Sequence, residues 1–486
     1  MYTWLPVSSG AVVGELEQYI SSEYDPVRVA KKLADGISGA VKAVLIERNY
    51  NDKDYRSTYY SFYAKKGQRY RSDCVRLHFF DETVLFDDQT LKLSCADNRI
   101  TDHYFGYMVL RPTGIATIGR TVLSPDVRSG ASRYIITAHH KVHLLGYKLT
   151  IQGFPSMDQH VDIAVCAHVA CWSVLRHYSE SYCVYREFLT HDITMMAHEF
   201  NPGGLVPSKG LQMSHAERVF QEAGTFPVHI AREHSRAKDP SFYRQLIAYV
   251  ESGFPLFASM HTRAHAIAVV GYEWRPPVNT AIPGMRYAWD EVQSLAVVDD
   301  NHLPYLSIPR TGGSEYSVED IDAFIVALPE KVFYPADAVD RLAPALFKLG
   351  AAVGLPPQDE TIIRYFITTG SALRRFVREK ESEFDPQLLA TIMKLPFSQF
   401  IWIVEFATEA QWAVGQVAAR AVIDATASLR EIMPLWLLHS CKQALVFDRR
   451  KVGLDSLRGV GSLNLDDMGH TGFTRMDQNL RPTQTK

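Results

Sequence analysis

Gln159, Cys166, His265 and Asp299 occur in an order that suits acyl chemistry through sulfur. A thiol attacks an amide only when it is deprotonated, when a base takes its proton, and when a third group holds that base in place. Three stretches supply these groups in series: MDQHVDIAVCAHVACWSVLRHY around Cys166, GFPLFASMHTRAHAIAVVGY around His265 and SLAVVDDNHLPY around Asp299. Cys166 begins CAHVACWSVLRHY, apolar on nearly every side of a helical wheel, the pattern of a helix buried in the middle of a domain. A cysteine at its N-terminus meets the positive end of the helix dipole, which favours thiolate, and Arg176 and His177 fall in the expected last turn, where cations are favoured.

His265 opens an unbroken apolar strand, HAIAVVGY, after a polar loop, so its ring can reach across a cleft toward a helix terminus. His261, in that loop, is the rival base. Asp299 ends the strand SLAVVD, and alternation puts Asp299 and Asn301 on one face with Asp300 on the other. Asp299 or Asn301 is therefore the group to fix the imidazole tautomer and stabilise its charged form. Gln159, seven residues before Cys166, is placed to donate its amide to a developing oxyanion beside the Cys166 backbone N–H.

Each residue also has a plain structural account: a small buried cysteine, a strand-end histidine, an Asp-Asp-Asn turn before Pro304, a loop glutamine. Their conjunction in the right order, each on a suitable element, favours the catalytic account. Cys171, inside the helix, reads as core. His139, His140 and His143 (HHKVH) lack a nearby cysteine or a carboxylate at ligand spacing and read as a surface strand. The chain has no HExxH, GxxxxGK[ST], GxGxxG or GxSxG pattern, so no cofactor and no metal is expected and a serine hydrolase is disfavoured.

The elements that must position these groups belong to a long chain. At 486 residues two or three domains are expected, and 47% hydrophobic with 22% charged residues is a soluble globular composition. The net charge of -3 gives no reason to expect nucleic acid or an anionic membrane as partner. No run reaches the ~18 apolar residues of a membrane span, and the start lacks the pattern of a signal peptide. Six irregularly spaced cysteines without a CxxC pair fit free thiols in a reducing cytoplasm.

Residues 1–150 read as an α+β accessory region, with a helix over GELEQYISSEYDPVRVAKKLADGI, a strand AVKAVLIER and a run of antiparallel strands from VRLHFF through KVHLLGYKLTIQG. Residues 151–330 hold the three blocks, with helices GLQMSHAERVFQEAG and DPSFYRQLIAYVESG, the latter stopped by Gly253 before the strand FPLFASM. WRPPVNTAIPGMRYAWDEVQS reads as a long excursion between the His and Asp strands. Residues 331–455 mix helices with strand-like runs such as FIWIVEFA and PLWLLH, and 456–486 is a polar tail expected to be loosely attached.

On the stretches CAHVACWSVLRHY, GFPLF with HAIAVVGY, and LAVVD, residues 151–305 resemble the papain-like cysteine peptidases, and within them the C39-like group. The resemblance implies a papain-like core of a helix packed on an antiparallel sheet. It also implies Cys166 as nucleophile, His265 as general base and acid, Asp299 as orienting acid and Gln159 as oxyanion donor. Ala167 and His168 depart from the Gly-Pro usual after the cysteine, and the interval from His265 to Asp299 is long for the group. The expected activity is hydrolysis of a peptide or isopeptide bond in a protein or peptide substrate through a thioacyl intermediate, in the cytoplasm. Acyl transfer to an amine or deamidation uses the same groups, and a non-catalytic papain-like scaffold for protein binding is the remaining alternative.

Overall fold

A computed structural model describes residues 2–7, 12–37, 39–128, 133–159, 166–197, 211–232, 240–276, 284–313, 315–330, 332–350, 352–449, 460–477 and 481–482. Within them the chain is mixed helix and sheet, α+β, and nearly every strand pairing is antiparallel. The exception is the short strand Arg286–Tyr287, which runs parallel to Thr361–Thr369. No described helix is long and apolar enough to cross a membrane.

The first sheet has seven strands, in the spatial order Tyr2–Pro6, Ala43–Tyr50, Cys74–Phe80, Tyr104–Leu110, Ile118–Leu123, Tyr147–Ser156 and Ala138–Leu144. One face packs on helix Pro26–Gly36, the other on helix Lys53–Ser61, so strands such as Cys74–Phe80 are buried on both sides. The single long helix expected near the N-terminus is two, Val12–Tyr19 and Pro26–Gly36. Asp25 stands between them with φ 46, accepts the Arg28 N–H at 3.3 Å and precedes Pro26, a strong helix start that interrupts the apolar pattern. Strand Tyr147–Ser156 completes this sheet, so the boundary expected at residue 150 falls inside a strand. His140 is buried, which corrects the reading of HHKVH as a surface strand; only His139 and His143 face outward.

The second sheet runs Phe226–Ala231, Ala323–Leu328, Leu256–Met260, His265–Trp274, Val292–Val298 and Leu306–Pro309. Helix Cys166–Ser181 packs against it within the largest apolar core. Gly253, at φ 83, ends helix Ser241–Glu251 ahead of strand Leu256–Met260, as its sequence position predicts. Strand Arg133–Ile135, expected with the first sheet, instead pairs with Gly271–Glu273 of the second. A Cβ on Gly271 would lie 2.2 Å from the Tyr134 carbonyl oxygen, so the crossing requires glycine.

Two sets of polar contacts tie the first sheet to the second. The Tyr305 hydroxyl, fully buried, accepts the Phe154 N–H at 2.7 Å and donates to the Leu123 carbonyl at 2.7 Å. The Trp172 indole donates to Asp54 Oδ1 at 3.0 Å, and Arg120 of the first sheet lies 3.8 Å from Glu187.

The third sheet orders Arg286–Tyr287, Thr361–Thr369, Phe400–Thr408, Ala419–Asp424, Leu435–Ser440, Gln443–Phe447 and Val460–Asn464. A buried ion cluster fastens it to the second unit: Arg364 meets Glu251 at 2.9 Å, Glu405 at 2.8 Å and Asp477 at 3.0 Å, and Arg420 meets Glu405 at 2.8 Å. Asp477 belongs to the stretch expected to be loose. That expectation fails for residues 460–477: Phe473, Arg475 and Met476 are buried, and the Met476 carbonyl accepts from Arg364 at 3.0 Å. Few apolar side chains are present there, but these few are inserted. Arg481–Pro482 pairs with Tyr134–Ile135 in a register that heads toward Glu273, away from His265.

Candidate functional site

Cys166 is the first residue of helix Cys166–Ser181 and is half-buried, while Ala167 through Tyr178 are all buried, as an all-round apolar pattern requires. The helix outlasts the expected one, so Arg176 and His177 do not lie in its last turn. Arg176 is buried against Glu187 and lies 3.4 Å from Glu180, and His177 stacks on Phe154, with burial holding it neutral at about 3.

His265 opens the strand that packs on this helix, and the two parts of the site meet. The imidazole bonds Asp299 Oδ1 through Nε2 at 2.7 Å, and the Cys166 side chain is close enough to act on its protonation. With Nε2 committed to the carboxylate, Nδ1 is the ring atom left for sulfur. Burial pulls the imidazole down, but the hydrogen bond to Asp299, the neighbouring Cys166 and the adjacent carboxylate charges outweigh it and raise it to about 10. His261 is exposed in the turn His261–Arg263, its backbone N–H donated to Asp322.

The alternation expected beyond SLAVVD does not hold, because strand Val292–Val298 ends before Asp299. Free of the pleat, Asp299 and Asp300 both turn inward: Asp300 Oδ1 lies 3.8 Å from His265 Nε2, and both residues are at least 97% buried. Neither Asp300 oxygen meets a hydrogen-bond partner, and the adjacent Asp299 carboxylate acts on it by charge. Two buried carboxyls that close cannot both ionise freely. Desolvation and the Asp299 charge raise Asp300 to about 7. Asp299 also pays desolvation, yet hydrogen bonds from His265 and His302 hold it well below the usual carboxylate range.

Around this pair are groups the sequence reading passed over. His302 Nδ1 reaches Asp299 Oδ2 at 2.6 Å, and its Nε2 lies 2.8 Å from Glu315. The Asn301 backbone N–H donates to Asp299 Oδ1 at 3.3 Å, so Asp299, and not Asn301, contacts His265. Tyr316 lies flat on the imidazole, ring centroids 5.4 Å apart and planes 20° apart, and the Asn301 side chain is near its hydroxyl. His302 was visible as a third titratable group in DDNH; nothing local marked Asp300 or Tyr316.

Gln159 is half-buried, three residues beyond the strand Tyr147–Ser156, and 160–165, which lead from it to Cys166, are not among the described residues. Its neighbour Asp158 is close enough for its charge to raise Asp300, and Lys32 holds the Asp158 carboxylate at 2.6 Å. Helix Pro26–Gly36 of the first unit thus borders the site. His265, Asp299 and Asp300 present donor atoms within 4.8 Å of one another, a spacing that a divalent cation could bridge. The direct 2.7 Å contact between Nε2 and Oδ1 is instead that of a carboxylate orienting an imidazole. No protein-family model, no curated protein and no solved structure matches this chain.

Proposed function

We propose that the chain is a cysteine peptidase with a papain-like core, cleaving peptide or isopeptide bonds through a thioacyl-enzyme. The reading rests on one observation: His265 bonds Asp299 beyond a strand end at 2.7 Å and lies close enough to Cys166, at a helix start, for the two to share a proton. In this mechanism His265 Nδ1 already holds the proton taken from Cys166, and the thiolate sulfur attacks the scissile carbonyl carbon. The imidazolium, steadied by Asp299, then protonates the leaving amine, and water attacks the thioester with His265 as base. The oxyanion is stabilised by the Cys166 backbone N–H, with Gln159 as the second donor.

The test is alkylation by iodoacetamide at neutral pH followed by peptide mapping. Fast, selective modification of Cys166 is expected, lost in Cys166→Ala; equal, slow labelling of all six cysteines would return the chain to a binding scaffold. Incubation with peptide substrates and primary amines then separates cleavage from conjugate formation. Deamidation is read as a 1 Da mass gain on glutamine.

A further inference from the structure

Away from this site, the first unit carries a second cluster of metal-binding side chain types. We propose that Cys95, Asp97 and His103 bind one divalent transition-metal ion of the zinc class, with water in the remaining position. The Cys95 sulfur, a carboxylate oxygen of Asp97 and a ring nitrogen of His103 all lie within 4.8 Å of one another. Bond lengths of about 2.0–2.3 Å place tetrahedral zinc donors roughly 3.3–3.7 Å apart, so rotation of the Asp97 carboxylate and a small inward shift close the set. Sulfur, imidazole and carboxylate together select zinc, cobalt or iron over calcium and magnesium.

The imidazole is already oriented for this role. His103 Nδ1 is bound by Asp81 Oδ2 at 2.7 Å, which leaves Nε2 directed at Asp97, 3.1 Å away. A carboxylate behind a ligating histidine fixes its tautomer and raises its basicity, the usual outer-shell arrangement of zinc sites. Cys95 is buried and donates to Asp97 Oδ1 at 3.1 Å. The largely exposed Arg99 guanidinium, its Nε 3.6 Å from Asp97 Oδ2, can keep its 3.2 Å pairing with Asp102 and leave Asp97 held by the Arg99 backbone N–H at 3.0 Å on Oδ1, with Oδ2 open to a metal. On binding, the Cys95 S–H proton and any proton on His103 Nε2 pass to solvent, and Asp81 keeps its hydrogen bond to Nδ1–H.

The hairpin Leu85–Asp87 and Lys92–Ser94 is a separate two-stranded sheet with Leu93 as its one buried residue. The Tyr147 hydroxyl and the stacking of Phe86 on Trp4 tie it to the first sheet. A metal joining Cys95, next after the hairpin, to His103, next before strand Tyr104–Leu110, would add a second tie on its other side.

The test is a Co²⁺ titration of the reduced, metal-free, full-length chain. One equivalent should give tetrahedral visible bands and a thiolate-to-cobalt charge-transfer band, displaced by Zn²⁺. Cys95→Ser should lose the charge-transfer band and Cys166→Ser should keep it. Asp81→Asn retains every donor and should weaken Zn²⁺ binding by about 10–100-fold, which keeps the proposal testable should Cys95→Ser misfold. Absence of the band, its loss in Cys166→Ser, or unchanged affinity in Asp81→Asn would overturn the assignment. None of these outcomes bears on the peptidase reading.

Discussion

Asp299 and Asp300 are adjacent in the chain, yet both carboxyls face one imidazole, at 2.7 and 3.8 Å from His265 Nε2. Backbone pleating would send them to opposite faces; the end of the strand at Val298 releases them from it. Below about pH 7 the two aspartates hold one carboxylate and one carboxyl beside a cationic ring.

A pH-dependent stability follows from the raised carboxyl. Asp300 binds its proton more tightly folded than unfolded, so its contribution is complete below about 3.9 and is lost as pH rises through about 7. Asp299 acts oppositely, losing its contribution as pH falls through its depressed folded value, below this window. His265 contributes below its unfolded value and loses that as pH rises through about 10, in wild type and variant alike. Between pH 5 and 8, Asp300→Asn should therefore gain stability relative to wild type by on the order of 1–3 kcal/mol. Urea denaturation at both pH values measures the difference, and parallel pH profiles would show that Asp300 is already ionised.

The imidazole titration reports the triad directly. In wild type the His265 ring resonances should titrate near 10, and in Asp299→Asn the midpoint should fall by more than one unit. Under the same conditions His265→Ala should slow Cys166 alkylation by ~100-fold or more, and Asp299→Ala by less. The reverse ranking would mean that another group is the base.

Tyr316 acts through the ring it covers. Tyr316→Ala should remove about 1 kcal/mol of stacking and slow Cys166 alkylation roughly five-fold, whereas Tyr316→Phe keeps the ring face and should stay within about two-fold. Equal effects of both changes would assign the role to the hydroxyl and its contact with Asn301.

Glu251, Arg364, Glu405 and Arg420, the centre of the ion cluster between the second and third units, are desolvated, so removing one strands the rest. Glu405→Ala leaves Arg364 and Arg420 short of a buried partner and should cost about 3–5 kcal/mol. Deleting the chain from Phe473 onward removes Asp477 and the Met476 carbonyl and should destabilise comparably. Denaturation midpoints within 1 kcal/mol of wild type would contradict the packing described for this stretch.

Much of this was legible in the chain because local chemistry dictated it. The buried helix announced itself by apolar residues on every side, and the Gly253 stop by a helix pattern running into a strand pattern. What was not legible depended on contacts between distant segments. The Asp300 orientation turns on where a strand ends, Tyr316 reaches His265 from a separate loop, and residues 460–477 are held by a few side chains whose partners lie elsewhere. Helix Cys166–Ser181 likewise extends past Tyr178 in a polar stretch that composition alone would end sooner.

Tyr305 leaves one lasting mark on how such a chain can change over generations. Its hydroxyl is shared by two strands of the front sheet while its backbone continues the loop that carries Asp299. A substitution that slides Ile118–Leu123 along Tyr147–Ser156 would drag the acidic loop with it. Any replacement for the first sheet would have to offer the Tyr305 hydroxyl a donor and an acceptor where Phe154 and Leu123 now stand.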